Sequence, residues 1–244
     1  MKTLFIKELS VFLNTQIGYI IIIIFLLTNG IVLWSDVSSF NIINYGYANM
    51  DMFFMISPLL FMLFVPAISM KSFSEEYNIG TIETLITKPI SKFQIIISKF
   101  LAIFTIIFFS ILPTIIYVLS IYYLGEIKGN LDLASIIGSY FGLILLSTVF
   151  ISVSIYSSAI SLNQMFSLVI SIMICVLFYY GFDLICNIYP FNKYDFILER
   201  FGISYYYEDM SKGLIRFSHI IYFLSINFLF LKLTEIHLLS KKKK

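Results

Sequence analysis

The sequence predicts an all-α integral membrane protein that crosses the bilayer six times. Of its 244 residues, 59% are hydrophobic and only 12% are charged, whereas about a quarter of the residues of a soluble domain carry a charge. The apolar residues also come in continuous blocks instead of one-sided stripes, which is the pattern of helices surrounded by lipid or by other helices. Together these observations exclude an ordinary soluble fold.

Six apolar blocks define the expected spans, at 17–34, 52–70, 98–124, 133–157, 165–183 and 218–233. The sixth block is the shortest, and a helix there needs Phe217 or Leu233 to reach across the bilayer. No internal repeat or low-complexity linker divides the chain. We therefore expect a single transmembrane domain over residues 1–244.

Residues 1–15 predict an interfacial amphipathic helix that leads into the first span. Lys2, Lys7 and Glu8 fall away from its apolar face, which carries Leu4, Phe5, Leu9, Phe12 and Leu13. A cleaved signal peptide is disfavoured, because no small-x-small cleavage site follows the first apolar block.

The third apolar block runs from Phe93 to Leu124, and as a helix it is longer than the ~30 Å hydrocarbon core requires. We expect its first turns to lie in the cytoplasmic interface, with the Lys99 side chain reaching out to water. Pro113 is expected to kink the remainder.

The basic residues predict which way the chain faces. With six spans both termini lie on one side, and that side holds 11 of the 16 lysines and arginines, whereas the other holds 5. Both termini are therefore expected in the cytoplasm, and the protein in the inner (cytoplasmic) membrane of a bacterial cell. The Lys241–Lys244 tail is an orientation anchor or a contact to anionic lipid.

The spans carry no ionisable residue at mid-membrane depth, since Asp183 and His219 fall at span edges. A proton-driven carrier is therefore disfavoured, although a sodium site built from backbone carbonyls stays open. The chain also lacks the G-x-x-x-x-G-K-[ST] nucleotide loop and the commonest hydrolase motifs. We expect no catalytic residue, metal site or cofactor of its own, so a partner would supply the energy for transport.

The segment between spans two and three predicts two short helical pieces. Gly80 ends the helix that continues from span two, and Thr81 can then cap a short helix with Glu83 in its first turn. Pro89 ends that helix, because a residue before proline avoids the α region. A capping box at 91–94 opens the next helix. Periodicity alone would also allow an ordinary interfacial hairpin here.

A set of residues around Gly80 carries a more specific signal: Phe73, Glu75, Glu76, Gly80, Thr81, Glu83, Leu85, Thr87, Pro89, Ile90 and Lys99. In order and spacing they resemble the stretch that introduces the third span of ABC-2-type transporter permeases. Ile86 stands where that family has a second leucine, and Lys92 stands where an arginine is more usual. Neither exchange changes the packing or the charge.

Weaker matches extend over nearly the whole chain. They include Lys7-Glu8-Leu9, Tyr45-Gly46-Tyr47 and Tyr180-Gly181-Phe182-Asp183. These matches resemble the gliding-motility-associated ABC permease subunit of Bacteroidota, with segment 187–217 as the divergent part.

The resemblance implies the permease subunit of an ABC exporter, paired with a second copy or a related permease above separate ATPase subunits. ATP and magnesium would bind to the ATPase. Thr81–Lys88 would be the coupling helix seated on the ATPase, with Glu76 and Glu83 holding it or its socket by polar contacts. The implied coupling segment comprises Glu75, Glu76, Gly80, Thr81, Glu83, Leu85, Thr87 and Pro89. Membrane lipid is a further expected partner, and nucleic acid is not.

Residues near the outer ends of spans two and five are candidates for a substrate path: Phe53, Phe54, Phe178, Tyr179 and Asp183. An aromatic belt at the outer interface is the simpler interpretation of the rings. For Asp183 three roles stay open, namely capping a helix end, pairing with a basic residue such as Lys193, or facing the exit of the path.

Other polar residues have ordinary structural interpretations. Asn227 predicts an interhelical hydrogen bond, and the serines of span four predict close helix packing: Ser152, Ser154, Ser157 and Ser158. Tyr205–Tyr207 predict a surface or re-entrant helix, with a loop as the alternative.

Two other functions stay open. One is an ABC-2-like membrane scaffold that anchors an ATPase and an outward-facing partner without carrying a substrate. The other is a sodium-coupled carrier with backbone ion sites, which would work without any ATPase.

Overall fold

The structure is a computed structural model that describes residues 2–35, 41–42, 49–82, 90–125, 131–186 and 198–241. Within these ranges every regular element is a helix. Five helices are long and apolar enough to cross a membrane, and a bent pair at the N-terminus raises the number to as many as six. The predicted class, an all-α multi-pass membrane protein, is confirmed.

The bent pair consists of α1 (Lys2–Asn14) and α2 (Gln16–Trp34), whose axes meet at 64°. At the bend, a Cβ on Gly18 would lie only 3.0 Å from the Phe12 carbonyl oxygen. A larger residue would crowd that carbonyl, so glycine lets α2 start close against the end of α1.

The buried face of α1 differs from the predicted one. Leu4, Glu8 and Phe12 are buried, whereas Leu13 is 46% exposed. The expectation that Glu8 falls away from this face was wrong, because the buried ammonium of Lys99 pairs with its carboxylate.

The second span is α3 (Asp51–Ser69), and α4 (Lys71–Ile79) continues it after Met70. Gly80 ends α4 with φ of 77°, in the left-handed region that costs glycine nothing because it has no Cβ. The predicted helix stop at Gly80 is confirmed.

The third span is α5 (Lys92–Ile111), a 3₁₀ turn at Leu112–Thr114, and α6 (Ile115–Leu124). The interruption falls at Pro113, as predicted, because proline has no N–H to continue the helical ladder. Ser91 caps α5, since its side chain accepts a hydrogen bond from the Gln94 backbone N–H at 3.2 Å.

Helix α7 (Leu133–Ile160) is the centre of the bundle and packs against spans on every side. Of the most apolar stretch of α7, 72% is buried inside the bundle, whereas only 17% of the corresponding stretch of Gln164–Cys186 is buried. Gln164–Cys186 therefore faces lipid or another protein. Ser171 Oγ donates a hydrogen bond to Ser154 Oγ at 2.6 Å, as expected from close packing of small residues.

The fifth span consists of α8 (Gln164–Val176), a π-helical turn at Leu177–Gly181 and α9 (Phe182–Cys186). A π turn inserts an extra residue into a helix and often marks a functional position. Beyond it, a 3₁₀ turn at Glu199–Phe201 leads into α10 (Ile203–Ser211). The three tyrosines at 205–207 therefore lie on a helix, and the loop alternative was wrong.

The last span lies on α11 (Phe217–Lys241), a helix of 25 residues that extends beyond the predicted span at 218–233. The helix continues through a charged end, where Lys232 and Glu235 pair at 2.7 Å. Asn227 Nδ2 donates to Thr148 Oγ1 at 2.8 Å, which confirms the interhelical hydrogen bond.

Candidate functional site

A buried ion cluster joins three helices immediately before Gly80. Lys99 on α5 is 2% exposed, and its Nζ lies 3.2 Å from Glu8 Oε2 on α1 and 2.8 Å from Glu76 Oε1 on α4. The same ammonium donates to the Ser72 carbonyl oxygen at 2.7 Å. We call Lys99, Glu8, Glu76 and the Ser72 carbonyl the lysine cluster.

The burial of Lys99 corrects the expectation that its side chain reaches water. Burying an ammonium is expensive unless opposite charges and hydrogen bonds replace its hydration. Two carboxylates and a carbonyl do so here, and the Phe73 ring lies 5.0 Å from Nζ, where its face also attracts a cation. The cluster therefore links α1, α4 and α5, and removal of one partner would leave a buried charge unpaired.

Helix α4 is also fixed from the other side, by Ser158 of α7. The backbone N–H groups of Phe73 and Ser74 donate to Ser158 Oγ at 3.0 and 3.2 Å, and Ser158 Oγ donates to the Met70 carbonyl at 3.0 Å. Ser158 thus accepts hydrogen bonds from the first turn of α4, although it lies on another helix. An N-cap residue usually has this role.

The predicted coupling residues fall into two groups. Glu76 belongs to the lysine cluster, Glu75 is half-buried beside it, and Gly80 and Thr81 are exposed at the end of α4, with Thr81 already helical. The others lie outside the described residues: Glu83, Leu85, Thr87 and Pro89. Their contact with an ATPase stays a prediction.

At the far end of the bundle, α3, α7, α9 and α10 surround a cavity of about 670 Å³. Four carboxylates and one lysine line it: Asp51, Asp132, Asp183, Glu208 and Lys212. We call it the acidic cavity. Tyrosines from the π turn and from α10 form much of the remaining wall.

Three of the five predicted path residues meet at the acidic cavity: Phe54, Tyr179 and Asp183. The other two do not. Phe53 is 0% exposed and packs edge-on against Tyr117, while Phe178 packs against Phe230 at 5.7 Å between ring centroids. Both therefore lie in the helix packing, and the use of the cavity by a substrate stays a prediction.

Asp183 contacts α10, which closes one side of the acidic cavity. Ser204 Oγ donates to Asp183 Oδ2 at 2.8 Å, and Tyr207 Oη donates to the Phe54 carbonyl at 2.7 Å. Burial, with a smaller contribution from Tyr179, raises the pKa of Tyr207 well above its ordinary value. The phenol consequently keeps its proton and its hydrogen bond at physiological pH.

Sequence reasoning missed that Glu8 and Lys99 pair, and it missed the role of Ser158. A signal for the first was present, because Leu4, Glu8 and Phe12 are spaced four apart and so place a carboxylate inside an apolar stripe. A buried carboxylate implies a cation nearby. Nothing in the sequence pairs Ser158 with α4, because that contact joins segments more than 80 residues apart.

The bundle is that of a multi-pass membrane protein. The sequence profile of ABC-2 family transporter proteins matches residues 3–233. The chain therefore belongs to the ABC-2 transporter family, as a transport component and not a catalytic subunit. Membership implies an ABC ATPase partner in general. No curated protein matches the chain significantly.

Proposed function

We propose that this chain is the permease subunit of an ABC-2 exporter and that its ATPase docks on the segment that follows Gly80. The observation that carries the proposal is the lysine cluster, which ties α4 to α1 and α5 at the point where α4 ends. A helix fixed in this way can transmit a displacement of its end to the spans, because packed elements move as units.

The proposed route of that displacement has two branches. Through Lys99 a movement of α4 reaches α5 and the N-terminal helix. Through Ser158 it reaches α7, which contacts most of the other spans. Closure of the ATPase on nucleotide would thus tilt the bundle as a whole instead of bending the exposed segment alone.

The proposed docking element is the predicted coupling helix at Thr81–Lys88. Glu83, Leu85 and Thr87 would contact the ATPase and Pro89 would end the helix, whereas we assign Glu76 to the lysine cluster within this chain. Both termini would then be cytoplasmic, in the inner membrane of a bacterial cell. The asymmetry of basic residues supports this orientation.

The acidic cavity is the proposed part of the substrate path, with Phe54, Tyr179 and Asp183 on its wall. A second copy or a related permease would complete the path, and the largely unburied span Gln164–Cys186 offers it a surface. The resemblance to the gliding-motility-associated subunit supports export as the direction and that process as a candidate role.

The test is to isolate the tagged chain in mild detergent from cells and identify the proteins that accompany it. An ABC ATPase should be recovered with the native chain and be reduced at least about tenfold by Glu83→Lys, which reverses a charge in a contact that excludes water. Glu199→Lys, on the part of the chain that precedes α10, is the matched control and should retain the ATPase.

Other outcomes separate the alternatives. An ATPase that is bound but drives no transport of any cargo would favour the membrane scaffold. Absence of an ATPase from the folded native chain would contradict the proposal and favour an autonomous sodium-coupled carrier.

A further inference from the structure

Beside the lysine cluster, between α1 and α4, lies a second cavity of about 400 Å³, which we call the N-terminal cavity. Its floor is formed by Ser72, Glu76 and Lys99, and its rim carries Lys7 and Lys71. A cavity of this size is within the range that holds a small ligand or a headgroup.

The floor of the cavity contains hydrogen-bond acceptors that have no donor. In the lysine cluster Glu76 pairs with Lys99 through Oε1, whereas Glu76 Oε2 is buried without a hydrogen-bond partner among the described residues. Ser72 is 6% exposed, and its Oγ is likewise buried and unpartnered within that part of the chain. Glu75, half-buried on the same wall, adds a further carboxylate. Buried acceptors of this kind require a donor, and a cation is the best donor for a carboxylate.

The rim of the cavity carries two lysines. The side chain of Lys7 is 57% exposed and its Nζ lies 3.8 Å from Glu8 Oε1, and Lys71 is half-buried at the start of α4. Two lysines near the surface are suited to a phosphate, which each ammonium can meet as a point charge. The cavity thus has unpartnered acceptors on its floor and two ammonium groups on its rim.

The remaining walls are apolar and lead outward. Phe12 and Ile68 line the interior, and Val11 and Ile79 are 47% and 67% exposed at its edge. Helix α1 lies at 64° to the first span, as an interfacial helix would. Acyl chains could therefore leave the cavity along an apolar surface in the bilayer.

We propose that the N-terminal cavity binds the headgroup of a phospholipid with a primary amine, of the phosphatidylethanolamine class. Its ammonium donates hydrogen bonds to Glu76 Oε2 and Ser72 Oγ, and its phosphate pairs with Lys7 and Lys71. The cavity binds phosphatidylcholine more weakly, because a trimethylammonium group has no N–H to donate. The bound lipid wedges α1 against α4 and stabilises the junction that the lysine cluster holds.

The experiment uses the purified full-length chain, delipidated in mild detergent without ATPase or nucleotide, so its result does not depend on the proposed docking of an ATPase. Phosphatidylethanolamine, phosphatidylcholine and phosphatidylglycerol with identical acyl chains are titrated separately and bound lipid is counted by native mass spectrometry. Phosphatidylethanolamine should bind at least about tenfold more tightly than phosphatidylcholine, which is the effect of one or two charge-assisted hydrogen bonds.

Two cavity variants that leave the lysine cluster intact locate the site. Ser72→Ala removes one of the two acceptors but keeps the Ser72 carbonyl of the lysine cluster, and it should reduce the preference for phosphatidylethanolamine over phosphatidylcholine at least about threefold. Lys71→Ala should weaken all three lipids by a similar factor. The controls Glu199→Gln and Lys2→Ala lie away from the cavity and should change neither quantity.

Three results would overturn the proposal. The first is equal affinity for the three headgroups, and the second is an unchanged preference in Ser72→Ala. The third is displacement of the lipid by soluble phosphoethanolamine at equal concentration, which would show that the cavity takes a free headgroup solute and not a membrane lipid.

Discussion

The lysine cluster and the acidic cavity both contain several carboxylates, but these are buried and paired in the cluster and line an open space in the cavity. In the lysine cluster two carboxylates are almost buried and converge on one ammonium. In the acidic cavity four carboxylates and one lysine line an open space of about 670 Å³, where water can reach them. Buried charges are costly to leave unpaired, whereas solvated charges are screened. The first region is therefore built for rigidity, and the second is free to serve a ligand.

The largest effect should come from Lys99→Ala. Removing the ammonium leaves Glu8 and Glu76 buried and facing each other, which typically costs about 3–5 kcal/mol of folding stability. Thermal unfolding can be followed in detergent by a thiol-reactive dye, because Cys175 is 0% exposed in the folded chain.

Lys99→Arg keeps the positive charge and is the matched control. An unfolding temperature for Lys99→Ala equal to that of the native chain would show that the cluster does not stabilise the junction.

A smaller effect is expected from Gly138→Ala, at the contact that holds α10 against α7. The new Cβ would overlap the Met210 carbonyl oxygen, so α10 must shift, at a cost of about 1–3 kcal/mol. Trypsin cleavage at Lys212 should accelerate as α10 loosens. Gly30→Ala is the control, because the new Cβ would lie 3.6 Å from the Tyr117 hydroxyl oxygen, which is an ordinary contact distance. Equal rates of cleavage in the two variants would disprove the packing argument.

Ser158→Ala tests the second support of α4. It removes the acceptor for two backbone N–H groups at the start of that helix, and the loss of such a cap costs about 0.5–2 kcal/mol. Ser152→Ala should be nearly neutral, because within the described part of the chain Ser152 Oγ donates only to the Val149 carbonyl of its own helix. In the dye assay Ser158→Ala should unfold at a lower temperature than Ser152→Ala. Equal unfolding temperatures would show that Ser158 does not stabilise α4.

The smallest effect on stability is expected from Asp183→Asn. The amide oxygen can still accept the hydrogen bond from Ser204 Oγ, so the free energy of unfolding should change by less than about 1 kcal/mol. If the comparison of the two regions is correct, this variant alters transport of a cargo while leaving the fold intact. A loss of stability as large as that of Lys99→Ala would make Asp183 a structural residue instead.

The sequence predicted the features that depend on local chemistry. Blocks of apolar residues predicted the long apolar helices, and Gly80, Pro113 and Ser91 marked a helix stop, an interruption and a cap that the structure shows. In each case the residue's own backbone or side chain determines the outcome, so no distant partner had to be known.

The features that the sequence did not predict depend on distant partners or on rotation about a helix axis. Glu8 and Lys99 are 91 residues apart in the chain, and each taken alone is expected to face water. Phe53 and Phe54 are neighbours, yet only Phe54 lines the acidic cavity, since successive residues of a helix point in different directions. The structure therefore brings only some of the candidate path residues together at one cavity.

The central claim is that an ATPase contacts this chain at the end of α4, and site-specific photo-crosslinking tests it most directly. A photo-crosslinking amino acid would replace Thr81, and in a second chain Lys212 beside the acidic cavity. Irradiation of intact cells should attach an ABC ATPase to the chain labelled at position 81 and not to the chain labelled at 212. No ATPase at position 81, or equal crosslinking at both positions, would contradict the account.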